Sequence, residues 1–143
     1  MKLWEVMSNP VVRIHPEESV SVAARMLEHY NIGAIPVCGS DGRICGVLTD
    51  RDIVTRCLAA ERNPGSTTVR DVMTARVIVG RPDMDAAVAA NLMGREQIRR
   101  LPVMENGRLC GMVSIGDLAR KEESCMDAGD ALSEISSHLS SRE

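Results

Sequence analysis

Two short stretches pair a hydroxyl with a carboxylate three residues on. Gly46 to Asp52 reads GVLTDRD and carries Thr49 and Asp52; Gly111 to Asp117 reads GMVSIGD and carries Ser114 and Asp117. Such a pair has two chemical uses. A Ser or Thr oxygen can accept from the N–H groups of a starting helix while the acid reaches back, which makes a helix cap. The same groups can hold a ligand: a helix start favours an anion, a hydroxyl can bond a phosphate, and a carboxylate can accept both hydroxyls of a ribose diol. Phosphate and ribose together indicate a nucleotide. The chain carries its own control, because Thr68/Asp71 and Ser124/Asp127 have the same spacing. Only the first two pairs follow a glycine and two aliphatic residues at a predicted strand-to-helix junction.

A nucleotide site also needs cations and a slot for the base. QIRRLPV offers Arg99 and Arg100 beside a strand. Their planar donor forks suit phosphate, and a solvated edge strand is the alternative use. The matching stretch NIGAIPV has Gly33 and Ala34 at those two places, small enough for a flat ring to approach the backbone.

These groups are positioned by a repeat. At an offset of 66, Val6-Met7 matches Val72-Met73, Pro16 matches Pro82, Ala23 matches Ala89, and Pro36-Val37 matches Pro102-Val103. One residue then drops out, and at an offset of 65 Cys45-Gly46 matches Cys110-Gly111 and Asp52 matches Asp117. Ordered matches across a whole unit indicate duplication. Each unit reads as strand, helix, strand, turn, strand, helix. PVVRIH is the first strand, ended by His15-Pro16. Ser19 starts a helix whose inner face is Val20, Ala23, Ala24 and Leu27, and Gly33 is its left-handed stop. AIPVC and ICGVLT form a hairpin, and DRDIVTRCLAA is the second helix. Asn106-Gly107 is the stronger hairpin turn of the two units. The expected organisation is a first unit over 1–60, a linker over 61–68, a second unit over 69–121 and a tail over 122–143. In the tail Ala128, Leu132, Ile135 and Leu139 share a rough helical face. A unit of this size is marginal alone, so two copies packing sheet to sheet are expected.

Composition narrows the function. With one Trp, one Tyr and no Phe, the core must be aliphatic and filled by the nine Met, and stacking platforms for single-stranded nucleic acid are missing. A net charge of -3 gives no basic field for DNA. No signal peptide or membrane span is expected, and five Cys without a CxxC fit reduced thiols in the cytoplasm. Cys45 and Cys110 read as small buried strand residues, with a Cys38–Cys45 disulfide as the alternative. His15, His29 and His138 lack the i, i+4 partner of a helical metal site. No nucleophile and base stand at a useful spacing, so no catalytic residue, no metal and no enzyme activity are expected.

The doubled pattern of Val-Met, strand-Pro, helix, Gly-x-x-Pro or Arg-x-Pro, then Gly-aliphatic-aliphatic-Ser/Thr-x-x-Asp resembles a pair of CBS domains over about Trp4 to Lys121. It is especially similar to stand-alone bacterial two-domain members. The resemblance implies an α+β fold of two β-α-β-β-α units packed sheet to sheet with pseudo-twofold symmetry, and a homodimer. It implies a regulatory sensor for an unknown effector protein, with AMP, ADP, ATP or S-adenosylmethionine as the ligand and no required cofactor. Asp52 and Asp117 would hold ribose, with Thr49, Ser114 and Arg51 near phosphate. Asp52 would work with Ile78, Ile98, Arg99, Arg100 and Leu101. Asp117 would work with Val12, Ile32, Gly33, Ala34 and Ile35. Gly116 replaces Arg51 in the second repeat, which implies a less cationic second site. The alternative is a structural or interaction dimer in which the clefts stay empty.

Overall fold

A computed structural model describes the backbone of residues 1–8, 12–121 and 124–141, with side chains up to residue 137. The chain divides into two compact units. One spans Val12–Val77, and the other joins Met1–Val11 to Ile78–Glu143.

In the Val12–Val77 unit, α1 (Val20–Tyr30) starts at Ser19, whose Oγ accepts from Val22 N at 3.2 Å. Val20, Ala23 and Leu27 are buried, but Ala24 is exposed, so the buried stripe is narrower than its apolar residues suggest. The left-handed residue that ends α1 is Asn31 (φ 53), not Gly33. Asn tolerates this conformation, and Asn31 N and Ile32 N close the last turn onto Glu28 O and Leu27 O. Strands β1 (Ala34–Cys38) and β2 (Ile44–Thr49) pair antiparallel, with a bulge at Val37/Cys38. The expected strand before α1 is met at one residue, where Ile14 bridges Val37 in parallel. Two hydrogen bonds hold it, Ile14 N to Pro36 O and Cys38 N to Ile14 O, before Pro16 removes the next donor. Pro10 and Val11 of that expected strand lie outside the described residues. The second helix is α2 (Asp50–Asp52) running into a π-helical segment, Ile53–Leu58. The unit closes with α3 (Val69–Val72).

The other unit repeats the plan with α4 (Ala86–Glu96), β3 (Arg100–Glu105), β4 (Arg108–Ser114) and α5 (Ile115–Ala119). Its first strand likewise shrinks to one bridge, Gly80 to Val103. Asn106 and Gly107 both take positive φ, 53° and 78°, as a two-residue hairpin turn requires. The tail forms α6 (Cys125–Ser141), which packs on α4 and α5. Ala128, Ala131 and Ile135 are buried, whereas Leu132 is 40% exposed. The inward stripe therefore runs through Ala131 in place of Leu132, and Leu139 lies outside the described side chains.

The outer strand of each hairpin is met by the segment preceding the other repeat. Ser8 bridges Met112 on β4, and Thr74 bridges Val47 on β2. The repeated Val-Met dipeptides thus sit on the repeated glycines. A side chain at Gly111 would run into Met7, and one at Gly46 would meet Met73 Sδ at 2.6 Å and Thr74 O at 2.9 Å. Met side chains can move and the Thr74 carbonyl cannot. Gly46→Ala is expected to cost about 1–3 kcal/mol in denaturant unfolding, and Gly111→Ala distinctly less. Equal losses would contradict this packing.

No disulfide links any of the five cysteines. Cys45 and Cys110 are partly buried, and each donates its S–H to the partner strand, at Val37 O and Val103 O. Burial pushes the Cys38 and Cys110 thiols up, against the pull of Arg13 on Cys38. Among the described residues no helix is long and apolar enough to cross a membrane, and no three His, Cys, Asp or Glu side chains converge to hold a metal ion.

Candidate functional site

The capping chemistry separates the four hydroxyl–carboxylate pairs. At Thr49/Asp52 the bonding is reciprocal: Asp52 N donates to Thr49 Oγ1 at 3.0 Å, and Thr49 N donates to Asp52 Oδ2 at 3.0 Å. Ser114/Asp117 does the same at 3.0 and 2.9 Å. The other two pairs do not. Thr68 makes no side-chain cap and Asp71 pairs with Arg62, while Ser124 Oγ donates to Leu118 O. Of these four pairs, the two at the repeat-matched strand ends form full capping boxes.

The carboxylates have further partners that motif spacing did not reveal. Asp52, 6% exposed, accepts from Thr74 Oγ1 at 3.3 Å on both oxygens, and Arg56 Nε lies 3.9 Å from Oδ1. Arg56 also donates to Val72 O and Met73 O, so it ties the π-helical segment to the end of α3. In the other unit Asp117 is ion-paired with Arg120 three residues on. A signal for Thr74 did exist: it follows the repeated Val-Met, as Ser8 does one repeat earlier.

Strand pairing gathers part of the expected set within each unit. Ala34 pairs with Thr49, and Asp50 N donates to Gly33 O at 3.0 Å, so Gly33 and Ala34 lie beside the Thr49–Asp52 group. Arg51 is exposed. Val12 and Ile32 pack on the same core, and Ile35 is fully buried within it. In the second-repeat unit Arg100 pairs with Ser114 and Ile115 N donates to Arg99 O, which puts the two exposed arginines beside Ser114. Ile78 and Ile98 pack partly buried on that core, and Leu101 is fully buried. The side chains of Ile35 and Leu101 therefore serve packing. Each unit brings together a hydroxyl, a carboxylate and at least one guanidinium at one end of its sheet. A cleft of about 620 Å³ lies elsewhere, at the opposite end of the β3–β4 hairpin, lined by Trp4, Arg81 and Asn106 among others.

The repeated units match a known family. The family model for the CBS domain matches residues 3–59 and again 69–124. The chain belongs to the CBS-domain family. It is 40% identical over 132 residues to the CBS domain-containing protein YhcV of Bacillus subtilis, covering 92% of this chain and 93% of that one. It is 37% identical over 118 residues to hypoxic response protein 1 of Mycobacterium tuberculosis, covering 81% of each. Among solved structures, the CBS domain pair of protein MJ0100 in complex with 5-methylthioadenosine and S-adenosyl-L-methionine superposes with a TM-score of 0.76 at 27% identity. It covers 84% of this chain and 94% of that one. CBS pairs are regulatory modules, and the doubled capping box of this chain sits in such a pair.

Proposed function

We propose that this CBS pair is a non-catalytic sensor that binds adenosyl ligands such as AMP, ADP, ATP or S-adenosylmethionine. In this reading it acts in the cytoplasm as a homodimer and relays occupancy to an effector protein. The observation that carries the reading is the repeat-matched Ser/Thr–Asp group with a guanidinium within reach, present once in each unit. Asp52 and Asp117 would accept the ribose hydroxyls. Thr49, Ser114 and Arg51 would face phosphate, and the backbone of Gly33–Ala34 and of Arg99–Arg100 would face the base. The adenosyl complex of the MJ0100 pair supports this ligand class. A ligand with different affinity for two states of a module shifts its population, which is what a sensor needs.

A second reading has its own observation. Both carboxylates already accept backbone and side-chain bonds, so each could be a cap and nothing more. Thermal unfolding separates the two. A ligand held at 100 times its Kd stabilises the folded state by about 2.7 kcal/mol. An upward shift in Tm with an adenosyl ligand, and none with the matching guanosyl ligand, is expected. An unmoved Tm with AMP, ADP, ATP and S-adenosylmethionine alike would favour the cap.

A further inference from the structure

We propose that the cleft beside Trp4 binds a guanidinium group, the side chain of an arginine in an extended segment of a partner protein. The nucleotide reading is not needed for this, because neither capping group lines the cleft. One turn, compared between the two repeats, carries the inference. At the offset of 66, Leu3 and Trp4 match Val69 and Arg70, while Pro82 and Asp83 match Pro16 and Glu17. The backbone bonds match as well. Leu3 N donates to Met84 O and Trp4 N to Pro82 O, as Val69 N donates to Glu18 O and Arg70 N to Pro16 O. Leu3 and Val69 are both fully buried. Residues 4 and 70 are therefore held in equivalent places, each on a turn pinned to a proline carbonyl.

The two side chains differ in what they do there. Arg70 Nε donates to Glu17 Oε1 at 2.7 Å. Trp4 has no charge to offer Asp83, which pairs instead with Arg81, two residues back, at 3.7 Å. Both members of that pair are exposed, so it contributes little. The second repeat keeps the carboxylate and replaces its guanidinium partner by an indole that is 59% exposed.

An indole beside a carboxylate is a receptor for a cation. Trp is the strongest aromatic partner for a cation, and a planar guanidinium can stack on it while its N–H fork meets a carboxylate. The cleft adds a second acid, Glu105, so Asp83 and Glu105 are set against Arg81. The first unit supplies the model for the ligand: an arginine side chain seated on the matching acid. The volume of about 620 Å³ exceeds a lone guanidinium and falls in the range of sites that enclose drug-sized ligands. It leaves room for the residues on either side of the arginine, which points to a protein segment as the source.

Trp4 is the one Trp of the chain, so its fluorescence reports on this cleft. Titration of the full chain with N-acetyl-Gly-Arg-Gly-amide is expected to change that fluorescence saturably. The same peptide with citrulline, which keeps the shape without the charge, is expected to leave it unchanged. Asp83→Asn is expected to weaken the arginine peptide about tenfold. Free arginine carries a carboxylate that the two acids repel, and is expected to bind about tenfold more weakly than the peptide. Trp4→Arg restores the pairing of the first repeat and is expected to abolish peptide binding, followed by amide chemical shifts. Its Tm should hold, since Leu3 rather than Trp4 carries the packing of this turn. Equal responses to the arginine and citrulline peptides, no response to either, or binding that survives in Trp4→Arg would overturn the proposal. Free arginine that binds as tightly as the peptide would overturn the assignment to a protein segment.

Discussion

Asp52→Ala is expected to abolish one nucleotide site and, separately, to destabilise the fold. The stability loss follows from the bonds that disappear. Thr49 N–H and the Thr74 hydroxyl lose their acceptor in a nearly closed environment, and Arg56 loses its nearby charge. Leaving buried donors unsatisfied costs about 1–3 kcal/mol. The binding loss is larger. Two charge-assisted bonds to a ribose diol are removed, each worth about 1.5–3 kcal/mol, so affinity should fall at least 100-fold. Asp52→Asn separates the two effects. Its remaining carbonyl oxygen can still accept from Thr49 N–H, which limits the stability loss to about 1 kcal/mol. Its amide, however, presents donors where the diol needs an acceptor. A titration unchanged in Asp52→Asn would mean that the carboxylate only caps the helix.

The second large effect concerns the tail. Ile135→Ala is expected to lower unfolding free energy by about 2–5 kcal/mol, the usual cost of a large-to-small change in a closed core. Ile135 is 4% exposed, and its helix also buries Ala128 and Ala131. Ser124, 1% exposed, anchors the start of that helix by donating to Leu118 O at 2.6 Å. Leu132→Ala, on the exposed side of α6, should change stability by no more than about 0.5 kcal/mol. Similar losses for the two variants in denaturant unfolding would mean that α6 does not dock as described.

The repeat carried most of what could be read from the sequence. It placed both hairpins, both first helices and both capping groups, because each rests on local signals: periodicity, Pro, and Asn-Gly or Gly-rich turns. Features set by tertiary contact were less legible. Residues 12–15 look like a strand by composition, yet one bridge at Ile14 is all that β1 offers them. The opposite edge of each sheet, at β2 and β4, is met by one bridge from the segment preceding the other repeat, and no local periodicity encodes that exchange. Gly33 reads as the helix stop, but Asn31 reaches the left-handed region first. In the site the carboxylates and hydroxyls were visible by spacing, whereas Thr74, Arg56 and Arg120 were not. Thr74 comes from 22 residues away, and Arg120 reaches Asp117 from the following turn. The two units are more alike in chemistry than GVLTDRD and GMVSIGD suggest when compared letter by letter.

The central claim is that the repeated carboxylates hold an adenosyl ligand. Calorimetric titration of wild-type protein and of Asp52→Asn/Asp117→Asn with AMP, ADP, ATP and S-adenosylmethionine tests it most directly. Saturable heat is expected for at least one of these with the wild type and none for the double variant, which should remain folded. Saturable binding that survives in the double variant, or no heat from wild-type protein with any of the four, would contradict it.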